Sequence, residues 1–150
     1  MCSGSPFLEE GNGSPIDFDM PENGYYSYER FRNILSGTNE GDLTIIVVNI
    51  SSLPLYIDDL TTSLRLLNFS PDIIGLSETR ITDIVNTYYK PHLENYVYYP
   101  STNSSLRAGS AGIFVKSSLV VTKRGDLDIS VPGLFETVWV DVEHKFGGKK

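Results

Sequence analysis

Cysteine is nearly absent from this sequence: Cys2 is the only one among its 150 residues. A single cysteine cannot form an intrachain disulfide, which fits a protein of a reducing compartment. The longest largely apolar run, residues 43–48, is far too short to cross a bilayer. Glu9 and Glu10 stand where a secretory signal would carry basic and then apolar residues. We therefore expect an intracellular protein, cytoplasmic or nuclear, that is not secreted and binds no membrane.

Several familiar catalytic patterns are missing too. The sequence contains no Walker loop, no zinc-ligand spacing and no Ser-His-Asp pattern. Its two histidines, His92 and His144, are far apart in polar surroundings, so they form no metal-ligand pair. The glycine-containing stretch at 109–112 lacks the lysine and the following helix of a phosphate-binding loop, and it favours a close approach between strands. A nucleotide-binding loop, a zinc site and a serine-hydrolase triad are therefore not expected.

Charge is unevenly distributed along the chain. Residues 1–42 carry eight acidic and two basic residues, a net charge of −6, whereas the remainder is close to neutral at −1. Proteins that bind nucleic acid by themselves usually present a basic face. The near-neutral part therefore argues against DNA binding by this chain alone. It argues less against an enzyme that holds phosphate through a metal ion.

The first part of the chain differs in composition from the rest. Residues 1–24 are rich in Gly, Ser, Pro, Asn and acidic residues, and we expect them to be disordered because they can bury little apolar surface. Three apolar residues share one helical face at 28–35, which predicts a short helix there. We accordingly divide the chain into an acidic lead-in, residues 1–42, and a domain, residues 43–150.

The domain begins with a strand–helix–strand pattern. Residues 43–50 are mostly β-branched and apolar on both faces, which is typical of a central, buried strand. Apolar residues at helical spacing follow over 55–67, and residues 72–77 form a second apolar run. Such a βαβ unit pairs its two strands in parallel through a right-handed crossover. Further strands are predicted at 96–99, 111–115, 119–122 and 135–142. The fold class is therefore α/β with a mixed sheet.

Asn49 and Glu78 stand at the carboxyl ends of the two predicted parallel strands. Open α/β sheets place ligands at that edge, so both side chains are candidate site residues. A carboxamide and a carboxylate offer the oxygen ligands that Mg²⁺ prefers, with several waters retained. A purely structural interpretation also fits: Asn49 ends a strand, and Glu78 lies in the first turn of a helix, where the dipole favours it. The residues alone leave both interpretations open.

The segments around these two residues resemble a known family. They read V-N-I-S-S-L at 48–53, I-D-D-L at 57–60 and D-I-I-G-L-S-E-T at 72–79. Further along, R-A-G-S-A-G-I-F-V-K at 107–116 is similar to a glycine-rich strand of that family, and F-E-T-V-W-V at 135–140 is similar to a later strand. The family is the endonuclease/exonuclease/phosphatase superfamily, in the form found in the polyproteins of non-LTR retrotransposons.

The resemblance implies the N-terminal half of a two-sheet α/β sandwich of the deoxyribonuclease I-like kind. It implies that Glu78 is a catalytic, metal-binding glutamate and that Asn49, also catalytic and metal-binding, orients the metal and the scissile phosphate. The cofactor would be Mg²⁺, with Mn²⁺ as an alternative, and the reaction would be phosphodiester hydrolysis that nicks DNA. The partners would be DNA, for the full-length protein, and a reverse-transcriptase domain downstream in the same polyprotein.

Other features of that family are missing from the sequence. It contains no Y-R-P-P element, no Asp-x-Asn pair and no Asp-His dyad, the last of which supplies the family's general base. We therefore expect a truncated domain that is inactive by itself and, because half a sandwich leaves strand edges and apolar faces uncovered, unstable as a monomer. Arg80 stands where many relatives have tryptophan, and Ser110 and Ala111 replace glycines.

Two alternatives stay open at this point. The chain could be a non-catalytic remnant or a binding fragment, since the general base of the family is missing from it. It could also belong to another branch of the superfamily, such as the phosphatases or the abasic-site repair nucleases. The I-D-D-L and S-E-T segments favour the retroelement branch.

Overall fold

The computed structural model describes residues 27–37, 41–101, 109–131 and 134–143. Within these ranges the chain forms helices α1 (Tyr28–Leu35), α2 (Leu53–Leu67) and α3 (Asp83–Tyr88) and strands β1 (Ile45–Asn49), β2 (Ile73–Ser77), β3 (Tyr96–Pro100), β4 (Gly112–Lys116), β5 (Val120–Lys123), β6 (Ser130–Val131), β7 (Phe135–Glu136) and β8 (Val140–Glu143). The predicted disorder of residues 1–24 lies outside the described residues. None of the described helices is both long and apolar enough to cross a membrane.

The first two strands and the helix between them form the predicted βαβ unit. β1 and β2 are parallel neighbours, in a register that places Asn49 opposite Ser77. The connecting helix α2 has Pro54 in its first turn, where a missing N–H leaves no helical bond unmade. It ends at Asn68, whose left-handed φ of 49° is a common way to close a helix. The prediction of a parallel pair joined by an amphipathic helix is therefore confirmed.

The main sheet has the strand order β1-β2-β4-β3. β4 runs antiparallel to both of its neighbours, β2 and β3, so the sheet is mixed, as the sequence predicts. β5 pairs with β8, and β6 pairs with β7, in two separate antiparallel ribbons. The fold is therefore α/β, with a mixed sheet that begins with a βαβ unit.

The prediction that β1 is a central, buried strand is wrong for the described part of the chain. β1 forms one edge of the main sheet, and the side chains of Ile45 and Val47 are 56% and 79% exposed. The alternate residues Ile46 and Val48 pack against the buried core instead. An apolar pattern on both faces shows that a strand could be buried between two layers, but it does not show that a second layer is present.

The predicted strand at 135–142 is two strands, β7 and β8, with a break at residues 137–139. At the break, the Thr137 backbone N–H donates to the Ile129 carbonyl at 2.9 Å. The Trp139 backbone N–H donates to Asp128 Oδ1 at 3.2 Å. These two amides bond to the segment that precedes β6. They therefore do not take part in strand pairing, and β7 and β8 are separate strands.

Helix α2 covers one face of the main sheet. Its buried leucines pack with apolar residues of β2 and β4; the group includes Leu53, Leu60, Leu64, Ile74, Leu76 and Phe114. Burying one such side chain stabilises the fold by about 1.5–3 kcal/mol. α1, which occupies the predicted range 28–35, lies against α2, where the Tyr28 hydroxyl bonds Ser63 Oγ at 3.1 Å. This layer holds β1 and β2 in place and therefore fixes the sheet edge at which both strands end.

Candidate functional site

The two sequence-predicted site residues stand at the same edge of the main sheet. Asn49 is the last residue of β1 and is opposite Ser77, the last residue of β2. The Ser77 carbonyl accepts a hydrogen bond from the Ile50 N–H at 3.1 Å, so the pairing continues past both strand ends. Glu78 follows Ser77 directly. The parallel register therefore places both residues at the carboxyl end of the β1–β2 pair.

Asn49 closes a tight turn at this edge. Its side-chain Oδ1 accepts a hydrogen bond from the Ser51 N–H at 3.1 Å, and Ser51 has a left-handed φ of 59°. Asparagine favours such turns because its carboxamide can bond to the backbone two residues further on. The carboxamide oxygen has a second lone pair, and its NH₂ group has two N–H donors. The turn therefore orients Asn49 and still leaves it groups for a ligand.

Glu78 stands just beyond the end of β2 in an unusual backbone conformation. Its φ is 57°, and its side chain is half-buried. The structural interpretation that placed Glu78 in the first turn of a helix is wrong. The next helix, α3, begins at Asp83 and is capped by Thr82, whose hydroxyl accepts from the Val85 N–H at 3.2 Å. The helix dipole therefore gives no reason for a glutamate at position 78.

The segment after Glu78 is attached to the start of β4 by a buried polar cluster. Thr79 is fully buried, and its Oγ1 lies 2.7 Å from Ser110 Oγ. The Thr79 N–H donates to the Ser110 carbonyl at 3.0 Å, and the Arg80 N–H donates to the Gly109 carbonyl at 3.1 Å. Ser110 Oγ also accepts from the Ile81 N–H at 3.0 Å. This cluster fixes the backbone on the far side of Glu78.

Tyr98 and Gly112 meet close to this cluster. A Cβ at position 112 would lie 2.3 Å from the Tyr98 hydroxyl oxygen, so only glycine fits at the start of β4. The Tyr98 hydroxyl is buried and makes no hydrogen bond within the described part of the chain. Burial raises the pKa of Tyr98 to about 12, and the nearby Thr79 hydroxyl lowers it only in part. The Tyr98 side chain therefore fills the space beside Gly112, where any other residue would place its Cβ.

A cleft of about 330 Å³ opens beside the same edge, on the sheet face opposite to α2. Ser77, Ala111 and Trp139 are among the residues that line it, together with Glu136. The Glu136 carboxylate accepts a hydrogen bond from Ser101 Oγ at 3.0 Å. The cleft is mainly apolar and open to solvent, so it adds few ligands to the edge. Glu136 is nonetheless a second carboxylate close to the end of β2.

The donor set of the edge fits a weakly held hard cation. Asn49 and Glu78 each offer an oxygen, and Mg²⁺ accepts one or two protein oxygens when waters complete its shell. Among the described residues there is no group of three or more His, Cys, Asp or Glu side chains that could enclose a metal. The described residues therefore form no closed metal cage, and Asn49 and Glu78 are at most two oxygen ligands for a hydrated ion.

The sequence predicts part of this site. Asn49 and Glu78 are recognisable because the ends of strands can be read from apolar runs. Ser110 stands out only as a departure from the glycine pattern of the resembled strand, and no spacing in the sequence links it to Thr79, 31 residues earlier. The sequence pattern places Glu136 in a predicted strand and does not indicate that its carboxylate lies close to the end of β2. For Ser110, the one signal is a polar residue in a segment that resembles a glycine-rich strand.

Comparison with known proteins adds no family to this geometry. No protein-family model matches the chain, and no curated protein is significantly similar to it.

Proposed function

We propose that this chain is part of a metal-dependent phosphodiesterase domain, a DNA-nicking endonuclease of the retroelement type. In this proposal the described part is the N-terminal half of a deoxyribonuclease I-like two-sheet sandwich. Glu78 binds Mg²⁺ or Mn²⁺, and Asn49 orients the metal and the scissile phosphate. DNA is the substrate of the full-length protein, in which a reverse-transcriptase domain follows.

The observation that carries the proposal is the register of β1 and β2. It brings a carboxamide and a carboxylate to one sheet edge, in the chain order that the resembled motifs require. The exposed second face of the sheet agrees with a sandwich whose other layer is incomplete, because Ile45 and Val47 are left largely uncovered. Neither a helix start nor a hydrophobic core accounts for a glutamate at position 78.

In this proposal, different side chains of the edge contact different parts of the metal-bound phosphodiester. The Glu78 carboxylate provides negative charge for the cation, and the Asn49 N–H groups can donate to a phosphate oxygen. Arg80 is exposed on the same segment and adds a positive charge that attracts the DNA backbone. A bound Mg²⁺ would stabilise charge on the phosphoryl oxygens and the leaving group. The sequence contains no Asp-His dyad to act as general base, so hydrolysis by these 150 residues is expected to be negligible.

A binding role without hydrolysis is the second candidate, and one specific observation favours it. The described residues include no group of three or more His, Cys, Asp or Glu side chains, and the sequence contains no Asp-His dyad, so a hydrated cation could bind at the edge with no base to activate its water. In this case the chain would hold a metal and a phosphate group but would not cleave the ester. The phosphatase and repair-nuclease alternatives share the same edge chemistry, and no described residue distinguishes them.

The site is tested by titrating the ¹⁵N-labelled chain with Mn²⁺, which broadens the amide signals of residues close to it. We expect the signals of Ile50, Ser77 and Glu78 to broaden first and to recover when excess Mg²⁺ is added. The Glu78→Gln variant removes the carboxylate charge and keeps the size of the side chain. It should need much more Mn²⁺ for the same broadening.

Glu94→Gln is the matched control for this titration. Glu94 is exposed and lies just before β3, the outer strand on the side of the sheet away from β1. Tyr96, the first residue of β3, is opposite Lys116. The same charge change there should leave the titration unaltered. Equal broadening in Glu78→Gln and in the unchanged protein would contradict the metal site. In parallel, the chain should not nick supercoiled plasmid in Mg²⁺ above the level of Glu78→Ala; clear nicking that depends on Glu78 would show that the general base is already present.

A further inference from the structure

Four non-glycine residues around the sheet edge have left-handed backbone conformations; one is Ser51, in the turn that follows Asn49. Glu78, Arg80 and Ser110 have φ values of 57°, 55° and 63°. Such values are uncommon for residues with a side chain, because Cβ then crowds the backbone. They persist where the surroundings determine the conformation, and they are frequent at functional sites. The contacts that determine the conformation of Glu78 are therefore part of the site.

The hydroxyl group of Ser110 is fully engaged in these contacts. A serine hydroxyl has one O–H donor and two acceptor lone pairs. Ser110 Oγ donates to the Gly109 carbonyl at 2.7 Å and accepts from the Ile81 N–H at 3.0 Å. The remaining lone pair accepts from the Thr79 hydroxyl, 2.7 Å away. Both Thr79 and Ser110 are buried, at 0% and 5% exposure, so water cannot take over these bonds.

The backbone on both sides of Glu78 is fixed by other elements. Before it, the Ser77 carbonyl is bonded to the Ile50 N–H of the β1 end. After it, the Thr79 N–H donates to the Ser110 carbonyl, and the Thr79 carbonyl accepts from the Leu53 N–H at 2.9 Å. Glu78 spans these two anchors, so its conformation depends on where Thr79 is held. Thr79 in turn is held by the start of α2 and by Ser110.

We propose that Ser110 is a positioning residue, which acts through Thr79 to keep Glu78 in its left-handed conformation at the sheet edge. The inference rests on the proposed function, in which Glu78 binds the metal. Ser110 itself touches no ligand. Its identity has a physical reason: glycine would adopt a φ of 63° more easily, but only the hydroxyl can bind Thr79 and the Ile81 N–H together. Serine is less favourable than glycine at this φ, but its hydroxyl makes three hydrogen bonds.

Substitution by glycine separates these two effects at position 110. Ser110→Gly removes the hydroxyl and relieves the left-handed strain, so a backbone role alone would leave the site intact or improve it. Ser110→Ala removes the hydroxyl and keeps the strain. Thr79→Val removes the other hydroxyl at nearly constant volume, and Thr79→Ser retains it. The four variants together distinguish a hydroxyl-dependent effect from a packing effect.

Two measurements on each ¹⁵N- and ¹³C-labelled variant test the proposal. The Cα and Cβ chemical shifts of Glu78 report whether its backbone is left-handed, and Mn²⁺-induced broadening of the Ser77 and Glu78 amides reports metal affinity. We expect Ser110→Gly and Thr79→Val to lose the left-handed shifts of Glu78. Residues that orient a metal ligand typically affect affinity strongly, so both variants should bind Mn²⁺ about 10-fold or more weakly. Thr79→Ser should resemble the unchanged protein in both measurements.

The outcomes separate this inference from the function on which it rests. If Glu78 keeps its left-handed shifts in Ser110→Gly and in Thr79→Val, the positioning role is refuted. If the unchanged protein shows no broadening at Ser77 and Glu78, the metal site is refuted, and the chemical shifts still decide the conformational claim. If Thr79→Val does not fold, Ser110→Gly and Ser110→Ala decide it alone. Loss of the left-handed shifts in both of these variants supports the positioning role.

Discussion

Replacing Tyr98 or Tyr96 by phenylalanine should change the free energy of unfolding in opposite directions, because their hydroxyl groups differ in hydrogen bonding. Both side chains project from β3 towards Phe114, with ring centroids 4.9 Å and 6.4 Å from the Phe114 ring. The Tyr98 hydroxyl is buried without a hydrogen-bond partner in the described part of the chain. The Tyr96 hydroxyl donates to the Pro71 carbonyl at 2.5 Å and lies 3.2 Å from Ser70 Oγ. Replacement by phenylalanine keeps each ring and removes only the hydroxyl.

The magnitudes follow from the state of each hydroxyl. An unsatisfied buried polar group costs about 1–3 kcal/mol, so Tyr98→Phe should raise the free energy of unfolding by an amount in this range. A satisfied hydrogen bond contributes about 0.5–1.5 kcal/mol net, so Tyr96→Phe should lower the free energy of unfolding. The two variants should therefore differ by at least about 1.5 kcal/mol, with opposite signs relative to the unchanged protein.

Urea unfolding followed by far-ultraviolet circular dichroism measures both differences under one set of conditions. Because the two substitutions are chemically identical and occur on one face of one strand, changes in the unfolded state largely cancel between them. A Tyr98→Phe variant that is less stable than Tyr96→Phe would refute the reasoning. It would mean that the Tyr98 hydroxyl is satisfied, with Thr79 as the obvious partner.

Two further predictions concern stability. Leu64→Ala should lower the free energy of unfolding by about 2–5 kcal/mol because Leu64 is buried in the layer between α2 and the main sheet, whereas Leu66→Ala, on the exposed side of the same helix, should change it by less than about 0.5 kcal/mol in urea unfolding. Burial alone would raise the pKa of Asp72, but hydrogen bonds from Thr44 and Lys116 lower it below its ordinary value of 3.8. A lowered pKa contributes stability above 3.8 that is lost as the pH falls through the folded value, so the stability difference between the unchanged protein and Asp72→Asn should shrink below pH 3.8. A difference that stays constant down to full protonation would contradict the assignment.

The sequence predicts those parts of the fold that depend on local periodicity. The β-branched run that becomes β1, the leucine stripe of α2 and the apolar run of β2 can each be recognised within a few residues. The chirality of crossovers and the parallel pairing then follow without long-range information. The common edge of Asn49 and Glu78 is predicted for the same reason, because it is a property of parallel strands and not of particular side chains.

The features that the sequence does not predict depend on contacts between distant segments. Ile45 and Val47 of β1 are exposed because their face of the sheet is largely uncovered. No pattern within residues 43–50 predicts whether another layer covers that face. The interruption between β7 and β8 arises because Asp128 and Ile129 bond to Trp139 and Thr137. The left-handed conformation of Glu78 is held by a serine 32 positions later in the chain. The conformational preferences of single residues would predict neither the break between β7 and β8 nor the left-handed backbone of Glu78.

The two candidate ligands are consequently supported in different ways. Asn49 is fixed by the backbone register of β1 with β2 and by a turn in which its own carboxamide accepts from the Ser51 N–H. Glu78 stands beyond the last register pair, and Thr79 after it is held by backbone bonds to Ser110 and Leu53 and by the contact between the Thr79 and Ser110 hydroxyl groups. Changes in the segment before β4 should therefore move Glu78 and leave Asn49 in place. In the proposed site Glu78 carries the charge that would bind the cation, so changes in that segment should alter the metal affinity more than changes in the sheet itself.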